Sequence, residues 1–208
     1  MGIIRNITQQ TKNRFLNMFE LEITHKSGID SRYFVASRAE KIEDLKITTK
    51  ENTPDGVIIF SIVKDDDGEE KVVLIRQYRY PIDGFIYEFP AGLVDKGEDY
   101  GTAAVRELRE ETGLILEPIP VSDEFQKPYF TTIGMTDESC ATVYGYASGK
   151  ISRKYQEASE EIEVVLADKK EIRRILKEER VAIMCAYMLM HYLHDEDAFG
   201  FLHCLEEE

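Results

Sequence analysis

The chain has 208 residues, of which 43% are hydrophobic and 32% are charged, and its formal net charge is −14 at pH 7. This composition is that of a globular protein and excludes a disordered one. The acidic balance excludes a general nucleic-acid-binding surface, because such surfaces need Lys and Arg to neutralise phosphates. A small anionic substrate remains compatible with it if arginines or metal ions reverse the field locally.

Cysteine usage and hydropathy predict the compartment. Cys140, Cys185 and Cys204 are an odd number with no CxxC spacing, which argues against a disulfide framework or a zinc site and fits a reducing cytosol. The N-terminal residues lack the apolar core of a signal peptide, and the longest apolar stretch, residues 181–193, is too short to cross a bilayer as a helix. We therefore expect a cytoplasmic protein with no membrane partner and no nucleic-acid partner.

The N-terminal residues predict a pair of strands. Apolar and polar side chains alternate over residues 15–23 and again over residues 32–36, and Lys26-Ser27-Gly28 supplies a turn between them. We expect residues 1–50 to form a small antiparallel β element and residues 51–208 to form the main domain.

The pattern then changes to buried strands and one helix. Residues 57–63 are a continuous apolar run, typical of a strand that is covered on both faces, and residues 72–78 and 85–89 predict two more strands. A helix is expected from Asp99 to about Thr112, with Val105, Leu108 and Thr112 on one apolar face. Gly113 is its natural C-terminal stop.

The C-terminal part predicts further strands and two helices. Strands are expected at residues 116–126, 139–147 and 161–166. Asp168 and Glu171 resemble a capping box that opens a helix, and residues 181–194 predict a last, nearly apolar helix that fits a core better than an interface. Strands interleaved with helices predict a mixed α/β or α+β domain with a covered sheet.

One segment carries a dense pattern of charged residues and glycines. With U for an aliphatic residue it reads G-x5-E-x7-R-E-U-x-E-E-x-G-U, and its specified positions are Gly92, Glu98, Arg106, Glu107, Leu108, Glu110, Glu111, Gly113 and Leu114. On a helix, Glu107, Glu110 and Glu111 stand at i, i+3 and i+4 and crowd one face. Their mutual repulsion, increased by the macrodipole near the helix C-terminus, indicates a bound hard cation such as Mg²⁺.

A solvated acidic face balanced by Arg106 and Arg109 is the alternative interpretation of those glutamates. The register of both glycines with Glu98 and Arg106 favours the cation site, with Arg106 pairing with Glu98 to tie the preceding loop to the helix.

This pattern is the signature of the Nudix hydrolases, and the chain resembles that family. The resemblance implies an α/β/α sandwich with a mixed sheet, and cleavage of nucleoside diphosphates linked to another moiety with Mg²⁺ or Mn²⁺ as cofactor. By position it implies that Glu107 and Glu111 are the main metal ligands. Glu110 would be a further ligand or bind water, and the carbonyl of Ala91 would complete the metal shell. Four other positions of the pattern would be structural: Gly92, Glu98, Arg106 and Gly113.

The flanking residues narrow the resemblance to one branch. Gln77-Tyr78-Arg79-Tyr80-Pro81 and Glu88-Phe89-Pro90-Ala91-Gly92 resemble the ADP-ribose pyrophosphatases, which release a nucleoside monophosphate and a sugar phosphate. The branch implies that Arg79 binds the diphosphate or terminal ribose, with Glu88 also in the substrate site. It further implies a homodimer whose N-terminal strands contribute to the neighbour's substrate pocket.

The loops after the pattern leave alternatives open. Alignment on Ile162 selects Glu160 as the general base or a metal ligand, with Glu161 as the alternative base, and Glu138 lies in a loop that can face the substrate. Thr132-Ile133-Gly134 departs from the Ser-Pro-Gly loop of the branch. GDP-mannose, a dinucleoside polyphosphate or a coenzyme therefore stay open as substrates. A Nudix-fold sensor that binds a nucleotide without cleaving it is the non-enzymatic alternative, although this chain has lost no glutamate of the pattern.

Overall fold

The computed structural model describes residues 1–65, 68–156 and 161–204. The chain divides into two compact units: Met1–Asp55 with Pro128–Ala141, and Gly56–Lys127 with Thr142–Glu208. Residues 128–141 thus belong with the N-terminal segment, whereas the sequence-based division at residue 50 places them in the main domain. Within the described residues no helix is long and apolar enough to span a bilayer.

The first unit is built on a three-stranded antiparallel sheet in the order β1-β2-β3. Its elements are β1 (Ile3–Gln9), β2 (Asn17–Thr24), β3 (Asp30–Ser37), the short helix α1 (Lys46–Thr49) and β9 (Tyr129–Phe130), which pairs with Ser139 and Cys140. The predicted strand pair is therefore confirmed, but the third strand, β1, was missed. Most of its side chains are exposed, so it carries no strong apolar signal.

The second unit contains the larger sheet, in the order β11-β5-β4-β10-β8, with β6 beside β5 and β7 beside β4. Its strands are β4 (Gly56–Lys64), β5 (Glu70–Arg79), β6 (Gly84–Glu88), β7 (Ala91–Leu93), β8 (Ile115–Pro118), β10 (Ser139–Ser148) and β11 (Ile162–Ala167). Of β10, only the part from Thr142 onward belongs to this unit. Its helices are α2 (Tyr100–Thr112), α3 (Asp123–Gln126), α4 (Lys169–Glu178) and α5 (Ile183–His194).

Both faces of this sheet carry a hydrophobic core. Val57 and Ile59 of β4 pack into the core that contains Leu108 of α2, whereas Phe60 and Ile62 pack into a core with Leu189 of α5. Because successive strand residues point to opposite faces, the continuous apolar run of β4 is buried on both sides. The mixed α+β class predicted from the sequence is confirmed.

Two local predictions were wrong. The strand expected over residues 116–126 ends at Pro118, and residues 123–126 form the short helix α3; Pro118 and Pro120 lack the N–H groups that a longer ladder would need. Val105, expected on the apolar face of α2, is 36% exposed, whereas Ala104, Leu108 and Thr112 are buried.

Candidate active site

Helix α2 is held in place by side-chain and backbone contacts at its two ends. Asp99 is its N-cap, and its carboxylate accepts a hydrogen bond from Gly101 N at 3.2 Å. Gly113 closes the other end with φ = 80° and donates its N–H to the Arg109 carbonyl. The expected helix and its glycine stop are therefore confirmed, and three glutamates occupy its last two turns.

Glu111 is a buried carboxylate. Its side chain is only 3% exposed, and its Oε2 accepts a hydrogen bond from the backbone N–H of Ala91 at 3.1 Å. Burying an ionised carboxylate is costly unless hydrogen bonds or a cation compensate it. The helix thus directs one negative group onto strand β7 in an environment that favours a positive partner.

Glu107 lies one turn earlier and contacts the next residue of the same strand. Its carboxylate rests on the Cα of Gly92, where a Cβ would overlap it. A side chain at position 92 would therefore displace Glu107, which explains why the pattern needs glycine there. Glu107 and Glu111, four residues apart on the helix, contact the consecutive residues Gly92 and Ala91.

Arg106 connects the glutamates of the pattern. Its guanidinium donates to Glu98 at 2.9 and 3.1 Å, to Glu107 at 2.7 Å and to Glu110 at 3.1 Å. It also donates to the Leu93 carbonyl at 3.0 Å. The pair with Glu98 was expected, and the bonds to Glu107 and Glu110 agree with the alternative interpretation, in which Arg106 balances the acidic face. The hydrogen bonds from Arg106 also hold the pKa of the Glu98 carboxyl below its usual value.

The donor chemistry of these residues fits a hard divalent cation. Glu107 and Glu111 place carboxylate oxygens on the Ala91–Gly92 backbone, and oxygen ligands are what Mg²⁺ and Mn²⁺ prefer. In the part of the chain that the structure describes, no three His, Cys, Asp or Glu side chains are already grouped as a complete metal shell. Glu110 is bonded to Arg106 and half exposed, so a shell that used it would require its side chain to turn.

Arg79 and Glu88 form a second charged group in this unit. The Arg79 Nη2 donates to Glu88 Oε2 at 2.5 Å and its Nε donates to the same oxygen at 3.1 Å. Glu88 lies opposite Ile75 across β5 and β6. Since alternate residues of β5 share a face, Arg79 and Glu88 lie on the same side of the sheet as Val73, which packs in the core with Leu108 of α2.

The remaining predicted residues fall elsewhere. Glu138 belongs to the first unit, where it accepts from Arg38 Nη2 at 2.7 Å and from Thr131 Oγ1 at 3.2 Å. Glu160 lies outside the described residues. Glu161, the alternative base, is exposed at the entrance to β11, and its carbonyl accepts from Tyr78 N at 3.2 Å.

Sequence reasoning missed Gln156, whose side chain bonds to the backbone of Glu111. It lies far along the chain from the glutamate pattern and outside every motif, so no spacing signal pointed to it.

The chain is similar to several known proteins. The NUDIX domain profile matches residues 53–184. The chain is 41% identical over 93 residues to "ADP-ribose pyrophosphatase" of Saccharomyces cerevisiae, covering 44% of this chain and 40% of the yeast protein. It is 30% identical over 149 residues to "Methanol dehydrogenase activator" of Bacillus methanolicus, covering 70% of this chain and 75% of that protein.

A solved structure described as "ADP compounds hydrolase" superposes with a TM-score of 0.65 over 93% of this chain and 94% of that one, at 16% identity. This likeness supports the fold. The aligned segments span about half or less of the yeast protein and of "Putative nudix hydrolase 2" of Caenorhabditis elegans, at 40% and 53% of their lengths.

Proposed function

Because the chain belongs to the NUDIX domain family, we propose that it hydrolyses the diphosphate bond of ADP-ribose or a related nucleoside diphosphate sugar. The products are a nucleoside monophosphate and a sugar phosphate. The proposal is supported by relatives named ADP-ribose pyrophosphatase in yeast and Bacillus subtilis, and ADP-sugar pyrophosphatase in mouse.

The observation that carries the proposal is the placement of Glu107 and Glu111 against consecutive residues of β7. Together with Glu110 and the Ala91 carbonyl, they would hold Mg²⁺, with Mn²⁺ as a substitute. When bound, such an ion neutralises diphosphate charge and acidifies an attacking water. The helix carries the ligands on one face, and Gly92 leaves room for the Glu107 carboxylate.

Arg79 and Glu88, the charged pair on the sheet, would bind the substrate. Arg79 presents a planar guanidinium that suits two phosphate or ribose oxygens at once. Glu88 accepts its Nε and Nη2 hydrogens and thereby fixes the plane of that group. Glu160 would accept the proton of the attacking water, with Glu161 as the alternative.

We further propose that the protein is a homodimer in the cytoplasm. Apolar side chains on the first unit support an interface there: Phe34 of β3 is 52% exposed and Ile3 of β1 is 67% exposed. All three cysteines are free, as in a reducing compartment. Size-exclusion chromatography with light scattering measures the assembly directly, and a mass of one chain would contradict the dimer.

Product analysis tests the activity. The purified chain is incubated with ADP-ribose, GDP-mannose and a dinucleoside polyphosphate, each with Mg²⁺ or Mn²⁺, and products are separated by anion exchange. We expect AMP and ribose 5-phosphate from ADP-ribose at the highest kcat/KM. Faster cleavage of GDP-mannose or of the polyphosphate would reassign the substrate, and binding of ADP-ribose without any cleavage would favour the sensor alternative.

A further inference from the structure

The segment after strand β10 lies against the C-terminal end of helix α2. This segment, the 149–156 loop, donates the Ser152 N–H to the Thr112 carbonyl at 2.9 Å. Gly113 lies directly beneath it: a Cβ there would stand 2.6 Å from Ser152 N. Only glycine allows the loop backbone to approach the helix end this closely.

Gln156, at the other end of the loop, hydrogen-bonds Glu111, one of the proposed metal ligands. Its Nε2 donates to the backbone carbonyl of Glu111 at 2.6 Å. The last four carbonyls of an α-helix have no partner within the helix. The 149–156 loop supplies donors to two of them, those of Glu111 and Thr112.

Glu111 is therefore held through both its side chain and its backbone. Its carboxylate accepts the Ala91 N–H from β7, and its carbonyl accepts the Gln156 amide from the loop. We propose that Gln156 is a positioning residue for Glu111, one that fixes the last turn of α2 so that the carboxylate keeps the geometry that binds a divalent cation. This inference rests on the proposed function, since it takes Glu111 as a metal ligand.

The physical reason is the strict geometry of the ion. Mg²⁺ and similar ions demand near-octahedral oxygen ligands at short distances, so a small rotation of the last helical turn weakens binding. Partners that orient a ligand without touching the metal typically contribute about 10- to 100-fold in metal affinity. Gln156 acts on Glu111 through the backbone, where an uncharged amide adds no repulsion to the cation.

The experiment compares Mn²⁺ binding to the nucleotide-free protein by calorimetry and electron paramagnetic resonance. Gln156→Met keeps the side-chain length and removes the donor, and Gln156→Asn keeps an amide that is too short to reach. We expect both variants to bind Mn²⁺ about 10-fold more weakly, with a Tm close to that of the unmodified chain. In turnover assays, saturating Mn²⁺ should restore most of kcat, with the nucleotide KM unchanged.

The matched control is Tyr155→Phe, one residue earlier in the same loop. It removes the phenolic hydroxyl that accepts from Arg109 Nη2 at 3.3 Å, keeps the ring and leaves Gln156 in place, so Mn²⁺ affinity should be unchanged. Unchanged Mn²⁺ affinity in Gln156→Met and Gln156→Asn, or an equal loss in Tyr155→Phe, would overturn the inference. Weaker Mn²⁺ binding in both Gln156 variants would support it even if the unmodified chain cleaved none of the nucleotides, an outcome that counts against the proposed function alone.

Discussion

Helices α2 and α5 depart from the usual burial pattern in opposite directions. Helix α2 buries the carboxylate of Glu111, whereas α5 exposes large apolar side chains, with Ile183 66% exposed and Tyr187 62% exposed. A buried polar group or an exposed apolar patch is more informative than ordinary amphipathic burial. On α2, the Ala91 N–H of β7 hydrogen-bonds the buried carboxylate, and Gln156 donates to the backbone carbonyl of the same residue.

On α5, buried and exposed side chains lie on different sides of the helix. Cys185, Leu189 and Tyr192 are buried in the core, while the side that carries Ile183 and Tyr187 is exposed. The expectation that this helix would be mainly core therefore holds for only one of its sides. A nearly apolar helix sequence therefore does not predict which side packs in the core. The patterned acidic sequence of α2, in contrast, predicts both the bounds of its helix and the face that carries the glutamates.

The largest effect is expected from Glu111→Gln. Exchanging the carboxylate for an amide removes the proposed charged oxygen ligand, worth several kcal/mol, so kcat should fall by about 100-fold or more with Mg²⁺. The fold should persist, because the amide oxygen can still accept the Ala91 N–H. Steady-state kinetics and circular dichroism measure the two effects, and near-normal turnover would remove Glu111 from the metal shell.

A pair of variants on α5 sharpens the contrast between its two sides. Leu189→Ala leaves a cavity in the core around Phe60 and should lower the free energy of unfolding by about 2–5 kcal/mol. Tyr187→Ala, on the exposed side, should change it by about 0.5 kcal/mol or less. Urea denaturation of both variants gives the comparison. A loss at Tyr187 as large as that at Leu189 would mean that the exposed side is covered in solution.

Arg79→Ala tests the charged pair on the sheet. In its proposed role the guanidinium mainly binds the ground-state diphosphate, so KM should rise by about 10-fold and kcat should fall less. Arg79→Lys is the matched variant, since it keeps the charge but loses the planar geometry. An unchanged KM for ADP-ribose in Arg79→Ala would refute the substrate-binding role.

The smallest effect is expected at Ser61, whose buried hydroxyl has no hydrogen-bond partner among the described residues. Removing an unsatisfied buried hydroxyl costs no hydrogen bond. Ser61→Ala should therefore leave the free energy of unfolding unchanged or raise it by roughly 1 kcal/mol, as measured by urea denaturation. A clear destabilisation would indicate a bond that a buried water completes.

The sequence predicted helix α2 well because its signals are local. Asp99 at the N-cap, the glycine at position 113 and the periodic glutamates all lie within one segment and agree with one another. Strand β1 was not predicted because its side chains are mostly exposed, and an exposed strand shows no core-facing apolar pattern.

The contacts of the candidate site were only partly predictable. Spacing placed Glu107 and Glu111 on one face of a helix, but not their contact with Gly92 and Ala91, which depends on how β7 packs against that helix. The hydrogen bond from Gln156 to Glu111 joins residues 45 apart in the sequence, and no local pattern carries such information.

The most direct test is anomalous diffraction from crystals soaked in Mn²⁺ with a non-hydrolysable ADP-ribose analogue. The account predicts a manganese peak bounded by the carboxylates of Glu107 and Glu111 and the carbonyl of Ala91. A peak only at other acidic residues, with Glu107 and Glu111 still in contact with β7, would contradict it.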